Sequence, residues 1–210
     1  MQKNTPLKRK KIIKFSGFEI TLRNPDDFTT EWTGNKLIYE QLASAWMRET
    51  PPDRPMFPLI TGVHGSGKLT MAAHCARTIF KSDFYIQQCS AAISHEDILF
   101  TKPFTDHQRR VHATAILSSV ISGGVCILYG ASRLNEDAWS AILPLLDERN
   151  YIESYSLGCR FCPHPDFRLT AIIDDSESDT ELPEYLRLKL LPKIAMPPPK
   201  PEEVTHTLSK

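Results

Sequence analysis

Gly62-Val63-His64-Gly65-Ser66-Gly67-Lys68 constrains this chain more than any other stretch, because it follows an apolar run (59–63) and leads into a helical pattern from 68 to about 80. The spacing is G-x-x-x-x-G-K in the strand–loop–helix setting that gives the pattern its meaning. Glycines here allow backbone torsions that turn successive N–H groups inward, forming an anion nest at a helix N-terminus. Lys68 is then placed to bridge the β- and γ-phosphates of a nucleotide. The competing reading is a glycine-rich turn that carries a surface lysine. The residue after the lysine should bear a hydroxyl for Mg²⁺, but here it is Leu69. Thr70 cannot simply replace it, since one helical position rotates a side chain by about 100°. His64 fills an unconstrained place and reads as a tolerated filler. The candidate phosphate site is therefore Gly62, Val63, His64, Gly65, Ser66, Gly67, Lys68, Leu69 and Thr70, with the usual metal ligand missing.

Elsewhere the apolar periodicity alternates between strand and helix. Ile12-Ile13 and Phe15, then Phe18, Ile20 and Leu22, flank Ser16-Gly17 as a short strand pair that ends at Asn24-Pro25-Asp26-Asp27. Ile38, Leu42, Ala45 and Trp46 lie on one face of a helix over 35–48, which the proline-rich segment 50–55 ends. Further strands are predicted at 59–63, with Pro58 at its start, at 84–86, at 125–128 and at 167–173. Helices are predicted at 111–122, closed by Gly123-Gly124, and from Asn135, whose side chain suits an N-cap ahead of Glu136 and Asp137. Strands alternating with helices imply βαβ crossovers, an α/β class and a largely parallel sheet. Residues 1–24 read as a basic arm and strand pair, 25–195 as the main domain, and 196–210 as a proline-rich tail.

Composition excludes more than it proposes. The 210 residues contain 41% hydrophobic and 24% charged side chains with zero formal net charge, so strong attraction to nucleic acid or acidic membranes is not expected. No basic–aromatic interleaving points to a nucleic-acid site, and no apolar run is long enough to span a bilayer. Five irregularly spaced cysteines favour a reducing, cytoplasmic setting. The basic run Lys8-Arg9-Lys10-Lys11 would suit nuclear import, or is a solvated terminal arm. Cys159-Arg160-Phe161-Cys162 with His164 resembles half of a zinc site, but structural zinc needs four ligands and no second pair follows. No Ser-His-Asp or Cys-His arrangement is legible. Trp32, Trp46 and Trp139 fit core packing.

Several motifs together resemble AAA+ proteins, in particular their MoxR-like and dynein-related (midasin-like) group. They are Gly123-Gly124-Val125-Cys126-Ile127-Leu128, Arg133-Leu134-Asn135, the helix 141–149, a hairpin-like 151–162, and His164-Pro165-Asp166-Phe167-Arg168-Leu169. Clamp-loader subunits share Arg133-Leu134-Asn135 but lack the insertion. The resemblance covers roughly 30–195. It implies a P-loop NTPase large subdomain, a three-layer α-β-α sandwich with a β-hairpin insertion, without the family's helical lid. Residues 196–210 are then the stub of that lid.

The departures from the family decide the expected activity. Its second motif ends in Asp-Glu, which hold the metal shell and polarise the attacking water; here those places are Tyr129 and Gly130. Its sensor asparagine falls on Asp174, and its arginine finger falls near Lys189, with Arg187 two residues earlier. Glu136, Asp137, Asp147, Glu148 and Asp175 read as cap or solvent-face charges rather than replacements. The resemblance thus implies an ATP-binding module with Mg²⁺ weak or absent, deficient in hydrolysis, with a scaffolding or regulatory role beside other AAA+ subunits or a protein partner. The alternatives are an active AAA+ remodeller and a pure interaction domain with a relic loop.

Overall fold

Ser16 and Gly17 both take positive φ (49° and 81°), the backbone that a two-residue hairpin turn requires. They join β1 (Ile12–Phe15) to β2 (Phe18–Thr21), an antiparallel pair with Phe15 opposite Phe18. The structure is a computed structural model that describes residues 11–28, 31–48, 53–101, 110–175 and 182–198. Lys8, Arg9 and Lys10, the residues Pro51 and Pro52, and the tail from Pro199 onward lie outside the described residues.

After β2 the chain forms α1 (Lys36–Trp46), β3 (Leu59–Gly62), α2 (Lys68–Thr78) and β4 (Phe84–Gln88). Then come β5 (Phe100–Thr101), β6 (Arg110–Ala113), α3 (Ala115–Ser122), β7 (Gly124–Tyr129) and α4 (Glu136–Ile142). The hairpin β8 (Ile152–Ser154) and β9 (Cys159–Phe161) is followed by β10 (Phe167–Ile172), α5 (Glu184–Arg187) and β11 (Lys193–Met196).

The central sheet is wholly parallel, in the order β11-β3-β10-β7-β4. Alternation within its strands explains the three layers. Val125 and Ile127 of β7 face a core with Ile38, Leu42, Trp46 and Met71 from α1 and α2. Cys126 and Leu128 face the opposite core, with Ile116, Leu117 and Val120 from α3 and Trp139 and Ile142 from α4. Leu59 and Ile60 of β3 divide in the same way. A strand covered on both faces reads as a continuous apolar run, which is why 59–62 and 124–129 carry almost no polar residues. The expected three-layer α-β-α sandwich with a β-hairpin is therefore present.

Four features differ from the sequence expectation. The helix expected over 141–149 ends at Ile142 and gives way to a 3-10 turn at Leu143–Leu145, where Pro144 has no N–H to continue the ladder. The helix expected over 111–122 begins only at Ala115, because Arg110–Ala113 alternates exposed and buried residues as β6. Four residues are too few to separate a period of two from one of 3.6. β6 pairs in parallel with β2 and antiparallel with β5, building a second sheet, β1-β2-β6-β5, that was not anticipated. β11, an edge strand of the main sheet, was also not anticipated.

Because the five strands are parallel, the C-terminal ends of β3, β10 and β7 lie along one edge. Ile173 N–H donates to Ile60 O (3.0 Å) and Asp175 N–H to Gly62 O (3.1 Å), carrying the chain after β10 along the loop that follows β3.

Candidate functional site

The loop between β3 and α2 bends at glycines that tolerate no side chain without strain. Gly62, Gly65 and Gly67 have φ of 148°, 79° and 85°. A Cβ on Gly62 would lie 2.5 Å from Met196 O, and one on Gly67 would lie 2.8 Å from the Trp32 ring, whereas Gly65 faces open space. Gly67 is the N-cap of α2, so no side chain caps that helix, and no acidic residue sits in its first turn. Its end keeps the positive field of unpaired N–H groups. Within the loop, Ser66 N–H donates to Val63 O (3.3 Å).

Lys68 is only 4% exposed, and its ammonium is held on three sides. It donates to Gly62 O and Val63 O, each at 2.8 Å, and pairs with Asp174 Oδ1 at 2.6 Å. Three acceptors match its three N–H donors. The second oxygen of Asp174 lies 3.3 Å from His64 Nδ1. Burial pushes the Asp174 carboxyl upward, but hydrogen bonds and charge from Lys68 and His64 outweigh it and hold the group below its ordinary value. His64 is thus a partner of Asp174 rather than a filler.

Two buried polar atoms beside the loop have no partner among the described residues: Ser66 Oγ and Trp32 Nε1. Buried polar atoms are usually satisfied. The orphaned hydroxyl, the open face at Gly65 and the uncapped helix end together fit a phosphate-bearing ligand. Metal fits poorly. Leu69 packs its half-buried side chain against the α1–α2 core, and Thr70, one helical position on, is rotated by about 100° from Leu69's place.

The end of β7 carries no acid. Tyr129 packs against the α1–α2 core, and Gly130 turns the chain at φ 73° while its N–H donates to Ile172 O. Asp175 is exposed beside the loop, and two of the other acids are engaged away from it. Asp137 accepts from His95 N–H (2.7 Å), and Asp147 pairs with Arg149 (2.7 Å) and lies 4.0 Å from Lys189. Bonding from Arg149 lowers the Asp147 pKa, burial opposing only in part. Glu136 sits in the first turn of α4 beside the Asn135 cap. Cys159 is buried and Cys162 exposed, His164 Nδ1 accepts from Asp166 N–H, and among the described residues no group of three or more His, Cys, Asp or Glu is placed to hold a metal.

The sequence pattern foresaw the loop but not the Lys68–Asp174–His64 cluster or the approach of Trp32 to Gly67. Strand order carries that information, and strand order is not written in local periodicity.

A family profile described as an AAA domain of the dynein-related subfamily matches residues 58–187. No curated protein matches the sequence. Among solved structures, a candidate ATPase from Cytophaga hutchinsonii is similar, at 17% identity and a TM-score of 0.60 over 83% of this chain and 48% of its own. NtrX from Brucella abortus in complex with ATP is 20% identical, with a TM-score of 0.54 over 80% of this chain and 39% of its own. NtrX in complex with ADP is 19% identical, with a TM-score of 0.53 over 80% and 37%. At these identities the likeness establishes the fold. The chain spans less than half the length of each of these neighbours. No helix among the described residues is long and apolar enough to cross a membrane.

Proposed function

This chain belongs to the AAA domain family, dynein-related subfamily, and from that premise we propose that it binds an adenine nucleotide at residues 62–70 and turns it over at no more than background rate. The observation that carries the first half is the conjunction of a buried Lys68, an uncapped α2 N-terminus and an orphaned Ser66 hydroxyl at a glycine-rich turn. The ATP and ADP complexes of NtrX support the choice of nucleotide.

In this reading the backbone N–H groups of the loop and the N-terminus of α2 hold phosphate oxygens, and Ser66 Oγ gains the partner it lacks. Trp32, in contact range of Gly67, borders the loop where it enters α2. Mg²⁺, where such sites bind it, neutralises charge between the β- and γ-phosphates. Leu69 and Gly130 present no side-chain oxygen for it, and Tyr129 offers a neutral phenol in place of a carboxylate.

The second half rests on the same positions. Hydrolysis needs a group that positions and polarises water and a cation that meets the charge developing on the phosphoryl group. Tyr129 and Gly130 supply no carboxylate at the end of β7. Lys189, nearest the expected finger position, lacks the planar fork of arginine and lies within ion-pair range of Asp147. An arginine finger alone is worth about 10³–10⁵ in rate in GTPases. A scaffolding or regulatory role, in company with other AAA+ subunits or another protein partner, follows from binding without turnover.

Titration of a fluorescent ATP analogue into wild type and Lys68→Ala tests the binding, and steady-state phosphate release with Mg²⁺ tests the turnover. Saturable binding that Lys68→Ala weakens about tenfold or more, with release at the no-enzyme level, is the expected pair of results. Brisk release would favour an active remodeller. Equal, weak binding by both proteins would favour an interaction domain with a relic loop, a reading that the full engagement of the Lys68 ammonium by protein acceptors also supports.

A further inference from the structure

Asp174 has no role in the proposal above, yet it makes the shortest contact of the loop lysine, 2.6 Å from Lys68 Nζ. We propose that Asp174 is an internal anion competing with the terminal phosphoryl group of a triphosphate for Lys68, so that this site selects a nucleoside diphosphate over a triphosphate. The inference rests on the reading of residues 62–70 as a nucleotide site and deepens it by naming the ligand's phosphate-chain length.

Geometry carries the step. An ammonium offers three donors in tetrahedral array, and here all three are taken, by Gly62 O, Val63 O and Asp174 Oδ1. A phosphate oxygen that reaches Lys68 must displace one of these acceptors. If it displaces a carbonyl, it stands about 4.5 Å from the Asp174 oxygen, the separation of two acceptors sharing one ammonium at ordinary hydrogen-bond distances. Two like charges then face each other in a partly buried setting, where their repulsion is far stronger than in water. If it displaces Asp174 instead, that carboxylate loses its strongest partner while still largely enclosed.

Asp174 cannot easily withdraw. The residues on either side are fixed by the backbone bonds Ile173 N–H to Ile60 O and Asp175 N–H to Gly62 O, and the Asp174 side chain is only 11% exposed. His64, 3.3 Å from the other oxygen, holds it from the solvent side. At the two places where a P-loop site holds its cation, Leu69 offers no oxygen and Tyr129 no carboxylate to screen the terminal phosphoryl group. A diphosphate meets less of this repulsion, because loop N–H groups cradle its phosphates and need not draw Lys68 away from Asp174.

Calorimetric titration of the full chain with ADP and with ATP, each with and without Mg²⁺, tests the inference on wild type, Asp174→Asn and Asp174→Ala. Wild type is expected to bind ADP more tightly than ATP. Both variants should gain about tenfold or more in affinity for ATP while changing by less than about threefold for ADP. Two variants guard against a fold defect in one of them, and a thermal melt of each confirms that it is folded. Equal ATP affinity in wild type and both variants would overturn the inference and leave the nucleotide site standing. ATP binding that requires Mg²⁺ and is lost in both variants would also overturn it, making Asp174 a metal ligand instead. If no protein binds either nucleotide, the proposed function falls, and this inference with it.

Discussion

A lysine ammonium at 4% exposure would be costly if unpaired. Lys68 is tolerated because two carbonyls and a carboxylate surround it, and the pair is enclosed enough, at 4% and 11% side-chain exposure, to escape most solvent screening. Removing one member leaves the other charge stranded, and breaking a buried pair in this way costs on the order of 3–5 kcal/mol, toward the lower end here because His64 remains beside Asp174. Lys68→Met should therefore lower the urea midpoint clearly, while Lys68→Met with Asp174→Asn should recover much of the loss, a non-additivity that a double-mutant cycle measures. The pH dependence has a definite sign. The folded-state pKa of Asp174 is lowered, so its contribution is complete above the unfolded carboxylate value, about 3.9, and disappears as pH falls through the folded value. Wild type and Lys68→Met should differ most near neutrality and converge in acid; a gap that persists undiminished in acid would mean that the pair contributes no such stability. Trp32 gives an optical test at the same scale. Trp46 and Trp139 are buried at 0% and 1%, whereas Trp32 is half-exposed beside Gly67. Its emission should change as nucleotide fills the loop, and Trp32→Phe should abolish that change.

Glu96 shows how one carboxylate fixes an entire element. Its oxygens accept from Tyr155 N–H (2.9 Å), Ser156 N–H (3.1 Å), Ser154 Oγ–H (3.0 Å) and Ser156 Oγ–H (2.8 Å), all around the turn between β8 and β9. Burial pushes its pKa up, but the bonds from Ser156, Ser154 and Tyr155 prevail and lower it. Stacking of His95 on Tyr155 at 4.8 Å adds a second tie. Glu96→Ala should speed amide hydrogen exchange at 154–158 by about tenfold or more while β7 and β10 keep their protection, because bonds to a charged acceptor contribute about 1.5–3 kcal/mol each only while the acceptor is present. Unchanged exchange at 154–158 would show that the hairpin is fixed by its apolar contacts instead. At this scale the sequence was most readable where periodicity is strong or chemistry is local. The doubly buried strands were legible at 59–63 and 125–128 as apolar runs, and at 167–173 as a strand despite the buried Arg168 and Thr170. Asn135 was legible as a cap, and its Oδ1 does accept from Ala138 N–H at 2.8 Å. β5 and β6, with two and four residues, were too short for any period to show. The Asp174–Lys68 contact was hidden for a different reason: the two residues are 106 positions apart (174 − 68) and meet only because β10 lies beside β3.

The whole-molecule consequence concerns stability. A ligand that binds only the folded state stabilises it by RT ln(1 + [L]/Kd), whatever the number of residues it touches, about 2.7 kcal/mol at a hundredfold excess over Kd. In a chain of 210 residues each kcal/mol moves the melting midpoint by roughly 2–4 °C. About 1 mM ADP, for a Kd near 10 μM, should thus raise the midpoint by roughly 5–10 °C. The loop joins β3 to α2, and β3 lies between β10 and β11 in the central sheet, so the site is lost whenever that sheet opens and the shift should appear in one cooperative transition. Differential scanning calorimetry with ADP, with ATP and with adenosine separates the possibilities. A relic loop leaves all three midpoints at the unliganded value. A site that recognises the base alone would respond to adenosine. A phosphate cradle guarded by Asp174 should respond most to ADP, less to ATP and not at all to adenosine, and Asp174→Asn should reverse the order of the first two.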